Sequence, residues 1–222
     1  MALVAPLWVF YELVAYLINQ GFDGQLRTGI DLFVKHLFTL WNVPLELFLV
    51  SILSGLIIYL ISHSKELIDL KAMFLIFILL ESLVYSAILG LVGGRFARVF
   101  LVQGEPDAGA RGFLATFIIN IGAGVYEEMV FRLILVSLFI WIMTKAVGMN
   151  RSLGAFFSIV ISSVLFSLGH YLSFFNESFE LSSFLFRFAA GMVFGFLFLI
   201  RGFGISVYTH AFYNVLMMIR QT

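Results

Sequence analysis

Polar residues in this chain stand singly or in pairs inside apolar stretches, and those stretches recur at lengths close to the thickness of a bilayer. A helix needs about 20 predominantly apolar residues to cross the ~30 Å hydrocarbon layer. On that rule the segments Leu45 to Ser62, Lys71 to Leu91, Ser152 to His170, Phe184 to Ile200 and Ile205 to Ile219 are expected spans. The run from Gly112 to about Val147 is too long for one perpendicular crossing. Gly122 and Gly124 are expected to kink or break it just before Glu127, as irregular backbone lining a cavity does.

The N-terminal elements follow a looser pattern. Leu3 to Ile18 is short and interrupted by Glu12, so it is expected to tilt or lie partly in the membrane interface. Gly21 to Asn42 sets Asp31, Lys35 and His36 at helical spacing among Phe and Leu, which predicts an interfacial amphipathic helix. Pro44 suits the first turn of the helix that follows, where its missing N–H is not needed. Gly104-Glu105-Pro106-Asp107 reads as a loop. Gly191 and Gly195, four apart, let a neighbouring helix approach one face of the span from Phe184. Met1 to Gln20 has no basic start before its apolar run and reads as a retained helix.

Composition turns this pattern into a class. The 222 residues are 62% hydrophobic and 12% charged, with mean hydropathy +1.06. A soluble domain holds roughly 45–50% apolar and ~25% charged residues, so the chain is an integral membrane protein. The expected fold is all-α, a single multi-pass membrane domain over 1–222 of about seven to eight helices, with the candidate chemistry confined to 112–222. Formal net charge is zero and no basic cluster is present, so nucleic acid is not an expected partner. The absence of Cys excludes disulfides, thiolate metal ligands and a cysteine nucleophile, and no Gly-x-Ser-x-Gly elbow is present.

The candidate chemistry starts at Glu127-Glu128, with Arg132 four residues on, inside the long apolar run. Ionisable groups there cost at least ~2.5 kcal/mol each on insertion scales and mark a functional site by default. Residues four apart share a helix face, so Glu128 and Arg132 are expected to pair, while Glu127 points about 100° away with no local cation. The bland alternative is one buried ionic knot of all three. His36 and His63 fall in polar connections, whereas His170 closes one span and His210 lies within the last, sharing a face with Asn214. Glu127, His170 and the His210/Asn214 pair stand on three segments that a bundle interior can bring together. A carboxylate near imidazoles in an apolar cavity can take a proton from water, and His210 with Asn214 can donate to an oxyanion. The same Glu127, His170 and His210 could instead hold a divalent metal such as zinc, although His-Glu-x-x-His is absent.

Glu127-Glu128-x-x-x-Arg132, then Phe166-x-x-x-His170, then His210-x-x-x-Asn214 resemble the motifs of the CAAX protease and bacteriocin-processing family, which includes the type II CAAX prenyl endopeptidases. The resemblance runs from about Gly112 onward. Many members have Pro before the Glu pair and Gly after the Arg, where this chain has Tyr126 and Leu133. It implies an intramembrane peptidase with a conical or laterally open cavity. In that fold Glu127 and His170 activate water, His210 and Asn214 form the oxyanion site, and Glu128, Arg132 and Phe166 support them. The implied partners are membrane lipid and a protein or peptide substrate, with or without lipid modification; the expected cofactor is none, or a divalent metal such as zinc if the reaction runs through a metal. Two other classes fit the composition: a non-catalytic scaffold or immunity protein of the same fold, and a proton-coupled transporter using Glu12, Glu81 and Glu127 as relays.

Overall fold

The computed structural model of the protein describes residues 3–21, 26–42, scattered positions between 51 and 62, and then 72–100, 112–171 and 179–221. The expected helix from Leu45 to Ser62 lies largely outside these residues, and Pro44, His63 and the turn from Gly104 to Asp107 lie wholly outside them. The described helices are α1 (Ala5–Gly21), α2 (Gly29–Leu40), α3 (Ala72–Phe100), α4 (Gly112–Glu127), α5 (Ser137–Trp141), α6 (Arg151–Gly169), α7 (Leu181–Arg201) and α8 (Phe203–Gln221). Two π-helical stretches, Glu128–Val136 and Ile142–Ala146, join α4 and α5 into one rod.

Four of these rods are long and apolar enough to cross a membrane: Met73–Gly93, Gly112–Ala146, Arg151–Gly169 and Leu181–Arg201. The protein is therefore an all-α, multi-pass integral membrane protein. The apolar part of α1, Ala5–Asn19, is shorter, and α8 carries Ser206, Thr209, His210 and Asn214 and is not one of the four.

The expected break at Gly122 and Gly124 is not where the irregularity falls. Helix α4 runs through both glycines and widens only at Glu128, into the nine-residue π-helix. The glycines serve close approach instead. A Cβ at Gly122 would lie 2.1 Å from the Tyr11 ring, and one at Gly124 would lie 2.7 Å from the backbone nitrogen of Ala211 on α8. Inside the π-helix the Phe131 carbonyl accepts a hydrogen bond from Ser162 Oγ of α6 at 2.5 Å. A neighbouring hydroxyl thus supports backbone whose i→i−4 ladder has shifted to i→i−5.

The helix expected over 21–42 forms as α2, but its charges face inward. Asp31 and Lys35 are buried and reach Glu12 and Arg27, while Leu37, Leu40 and Trp41 are exposed. Glu12 in the middle of apolar α1 has no cation on its own helix, so Lys35 of α2 and Arg27 just before it supply them. Burial opposes the charge on Arg27, yet its hydrogen bond to Glu12 and the nearby Asp31 hold the guanidinium above its ordinary range.

The C-terminal half is set by short turns. Asn150 accepts from Leu153 N at 2.9 Å and caps α6. Gly202, at φ +86, forms the junction between α7 and α8, and α8 returns against α3, α4 and α7. Gly191 and Gly195 seat α7 on Ser163 and Ile159 of α6, ordinary small-residue packing. Gly124→Ala forces α8 off α4 and is expected to cost about 1–3 kcal/mol, the usual range for overpacking. Thermal unfolding in detergent checks this, and an unchanged midpoint would refute the close approach.

Candidate active site

Three consecutive residues on one rod address three different surroundings. Tyr126 and Glu127 end α4, and Glu128 opens the π-helix. Glu128 is fully buried, and its Oε1 lies 3.0 Å from the Arg132 guanidinium and 2.8 Å from His210 Nδ1. Its Oε2 accepts from Ser206 Oγ at 2.5 Å. The expected Glu128–Arg132 pair is present, and it also holds an imidazole from α8.

Arg132 lies over the Phe166 ring at 4.5 Å and the Phe194 ring at 5.5 Å, with a long contact to the Gly191 carbonyl at 3.5 Å. Phe194 in turn stacks on His210, the ring centroids 4.4 Å apart and the planes 16° from parallel. Phe166 meets His170 edge-on at 5.0 Å.

Glu127 stands between the two histidines. Its Oε1 is 3.9 Å from His170 Nε2, and its Oε2 is 3.6 Å from His210 Nε2. Both distances exceed a direct hydrogen bond and are short enough for one water to bridge. Each imidazole is oriented through its other nitrogen. His170 Nδ1 is 2.9 Å from the Phe166 carbonyl, an acceptor, so Nδ1–H donates and a neutral His170 turns the lone pair of Nε2 toward Glu127. His210 Nδ1–H faces the Glu128 carboxylate in the same way. The tautomers follow from what the acceptors allow.

Glu127, Glu128, Arg132, Phe166, His170 and His210 are thus brought together. Asn214 is engaged elsewhere, its amide donating to the Asn120 carbonyl of α4 at 3.4 Å. Ser206 and Phe194 were not foreseen. Ser206 was readable, because it lies four residues before His210 on the same face; Phe194 was one Phe among 27. Of the relay carboxylates, Glu12 lies in the α1–α2 cluster, and Glu81 makes a bidentate pair with Arg201 at 2.6 and 2.7 Å. Among the described residues no group of three His, Cys, Asp or Glu side chains is arranged to hold a metal ion. A cavity of about 340 Å³ lies between α3, α7 and α8, lined by Leu89, Val92, Phe186 and Tyr213 among others; it shares only the Phe194 ring with this site.

The membrane-embedded bundle thus gathers a carboxylate pair and two histidines from three separate helical rods. Residues 109–216 match the family model described as Type II CAAX prenyl endopeptidase Rce1-like, and this stretch of the chain is an Rce1-like CAAX protease domain, as the motifs implied. No curated protein and no solved structure matches the chain.

Arg132→Ala leaves the Glu128 carboxylate buried without its cation. The expected loss of stability is about 3–5 kcal/mol, the usual cost of breaking a buried pair, read as a lowered melting midpoint in detergent. A variant as stable as the parent but unable to bind peptide would move Arg132 from support to substrate contact.

Proposed function

We propose that the protein is an intramembrane endopeptidase that hydrolyses a peptide bond near the membrane surface, with Glu127 as general base. The observation that carries this reading is the Glu127 carboxylate set between two imidazole Nε2 atoms, each imidazole oriented from behind through Nδ1. A water held by Glu127 and His170 Nε2 gives its proton to Glu127 as its oxygen attacks the carbonyl carbon. His210, as an imidazolium with Glu128 as counter-ion, donates Nε2–H to the forming oxyanion. Asn214 has a second amide hydrogen beyond the one on Asn120 and supplies the other donor. The tetrahedral intermediate collapses, the C–N bond breaks, and Glu127 returns its proton to the leaving amine.

The substrate in this reading is a protein or peptide in or at the bilayer, with or without a lipid modification, and residues 112–222 carry the chemistry. The family match supports a peptidase acting on such chains.

Glu127→Gln keeps the shape of the site and removes the base, so hydrolysis of a panel of prenylated and unprenylated peptides falls by ~10²-fold or more while peptide binding persists. Asn214→Ala lowers turnover by a similar ~10²-fold with little effect on melting. Undiminished turnover in Glu127→Gln would end the general-base assignment and leave the non-catalytic reading of the fold.

Metal analysis paired with activity after thorough chelation decides the remaining alternative. Full activity without stoichiometric metal supports the base mechanism. Joint loss of metal content and activity in Glu127→Gln, His170→Ala and His210→Ala would assign the reaction to a metal-bound water instead.

A further inference from the structure

The residue before Glu127 is tied, side chain to side chain, to a part of the chain outside the family match. Tyr126 is fully buried. Its hydroxyl donates a hydrogen bond to Glu12 and accepts one from Trp8 Nε1 at 3.3 Å. Glu12 also receives Arg27 at 2.8 Å and Lys35 at 3.1 Å. Asp31 receives Lys35 at 2.6 Å, Arg27 at 3.2 Å and the Tyr11 hydroxyl at 2.7 Å. Lys35 lies over the Tyr126 ring at 5.6 Å. Two carboxylates and two cations make this cluster formally neutral, so it can remain buried. Apart from Tyr126, these groups belong to α1, α2 and the chain between them.

Apolar contacts alone hold a helix weakly against small rotations about its axis, because they are not directional. A hydrogen bond at the tip of a long side chain is directional and resists that rotation. The resistance matters most at residue 127, the junction where α4 gives way to the π-helix. Adjacent residues point about 100° apart around a helix. With Tyr126 pinned toward α1 and α2, the neighbouring carboxylate turns toward His170 and His210.

We propose that Tyr126 is a positioning residue: through its bond to Glu12, the α1–α2 cluster sets the rotation of α4 and so the place of the Glu127 carboxylate between His170 and His210. The inference rests on the reading of Glu127 as general base for its catalytic consequence, though not for the geometric link. A misplacement of ~1 Å can cost a reaction on the order of 10²-fold, so loss of this bond falls on turnover more than on binding.

Tyr11 is the internal control. It is an equally buried phenol of the same cluster, but its hydroxyl is tied to Asp31 within α1 and α2, and its ring, not its hydroxyl, meets α4 at Gly122. If the cluster only holds the fold together, Tyr11→Phe and Tyr126→Phe are equivalent. The test compares both with the parent chain by peptide hydrolysis, by melting in detergent, and by NMR titration of the histidine ring signals, assigned by replacing each histidine in turn.

The expected result is that Tyr126→Phe lowers kcat by ~10-fold or more at unchanged KM and moves the His170 and His210 titrations, while Tyr11→Phe lowers only the melting midpoint. Trp8→Phe removes one of the two anchors of the Tyr126 hydroxyl and moves kcat and the titrations in the same direction by less; if Tyr126→Phe does not fold, this variant decides. Titrations and turnover that match those of Tyr11→Phe overturn the proposal. A parent protein that hydrolyses none of the peptides defeats the protease reading alone, and the histidine titrations still decide whether Tyr126 positions Glu127.

Discussion

The site depends on one carboxylate that water does not reach. Glu128 is 0% exposed, and its two oxygens are shared among Arg132 of its own rod and His210 and Ser206 of α8. A lone charge at that depth would be strongly unfavourable, so the surrounding helices are held to the places where its partners can reach it. That requirement joins the π-helix to α8, fixes the His210 ring by its Nδ1, and draws Arg132 into a sandwich with Phe166 and Phe194. Ser162 supports the backbone of the same π-helix from α6. Position of the histidine and stability of the bundle are therefore two consequences of one ionic contact.

A second buried ionic group stands on the other side of the same rod, and it differs in its parts. The Glu128 group gathers one carboxylate, one guanidinium, an imidazole and a hydroxyl, whereas the Glu12 group is a closed square of two acids and two cations around Tyr11 and Tyr126. Between them runs α4, brought close by the bare backbone at Gly122 and Gly124. The polar contacts are directional while the glycine contacts only permit approach, so the acids and bases set the rotation of the rod and the glycines set its distance from its neighbours.

Much of this was legible because helical geometry is local. Glu128 facing Arg132, Glu127 facing elsewhere, and three of the expected spans, Lys71 to Leu91, Ser152 to His170 and Phe184 to Ile200, follow from spacing and apolar length alone, and they stand in the structure. What spacing could not supply was the identity of partners on other helices. Nothing local says that Glu128 meets His210, 82 residues on, or that Glu12 meets Tyr126. The same limit inverted the reading of α2. Charges on one face of a surface helix normally mean water outside, but here an unpaired acid on α1 made the interior the polar side. The glycines misled for a related reason: a missing side chain signals either a bend or a close neighbour, and only the neighbour, Tyr11 or Ala211, tells which.

The burial of the site residues is graded. The side chain of Glu128 is 0% exposed, that of His210 6%, that of Glu127 8% and that of His170 15%. Charges that hold still gain most where screening is least, which is the dry end of this series. A group that must meet water gains nothing there. His170 caps the end of α6 beside Tyr171, where a helix terminus leaves the ring less covered than residues in mid-helix. Glu127 sits between the two extremes, with one oxygen toward the dry imidazole and the other toward the accessible one. That gradient gives the site a polarity, from the more accessible His170 side to the dry His210 side, where Glu128 and Arg132 fix the field.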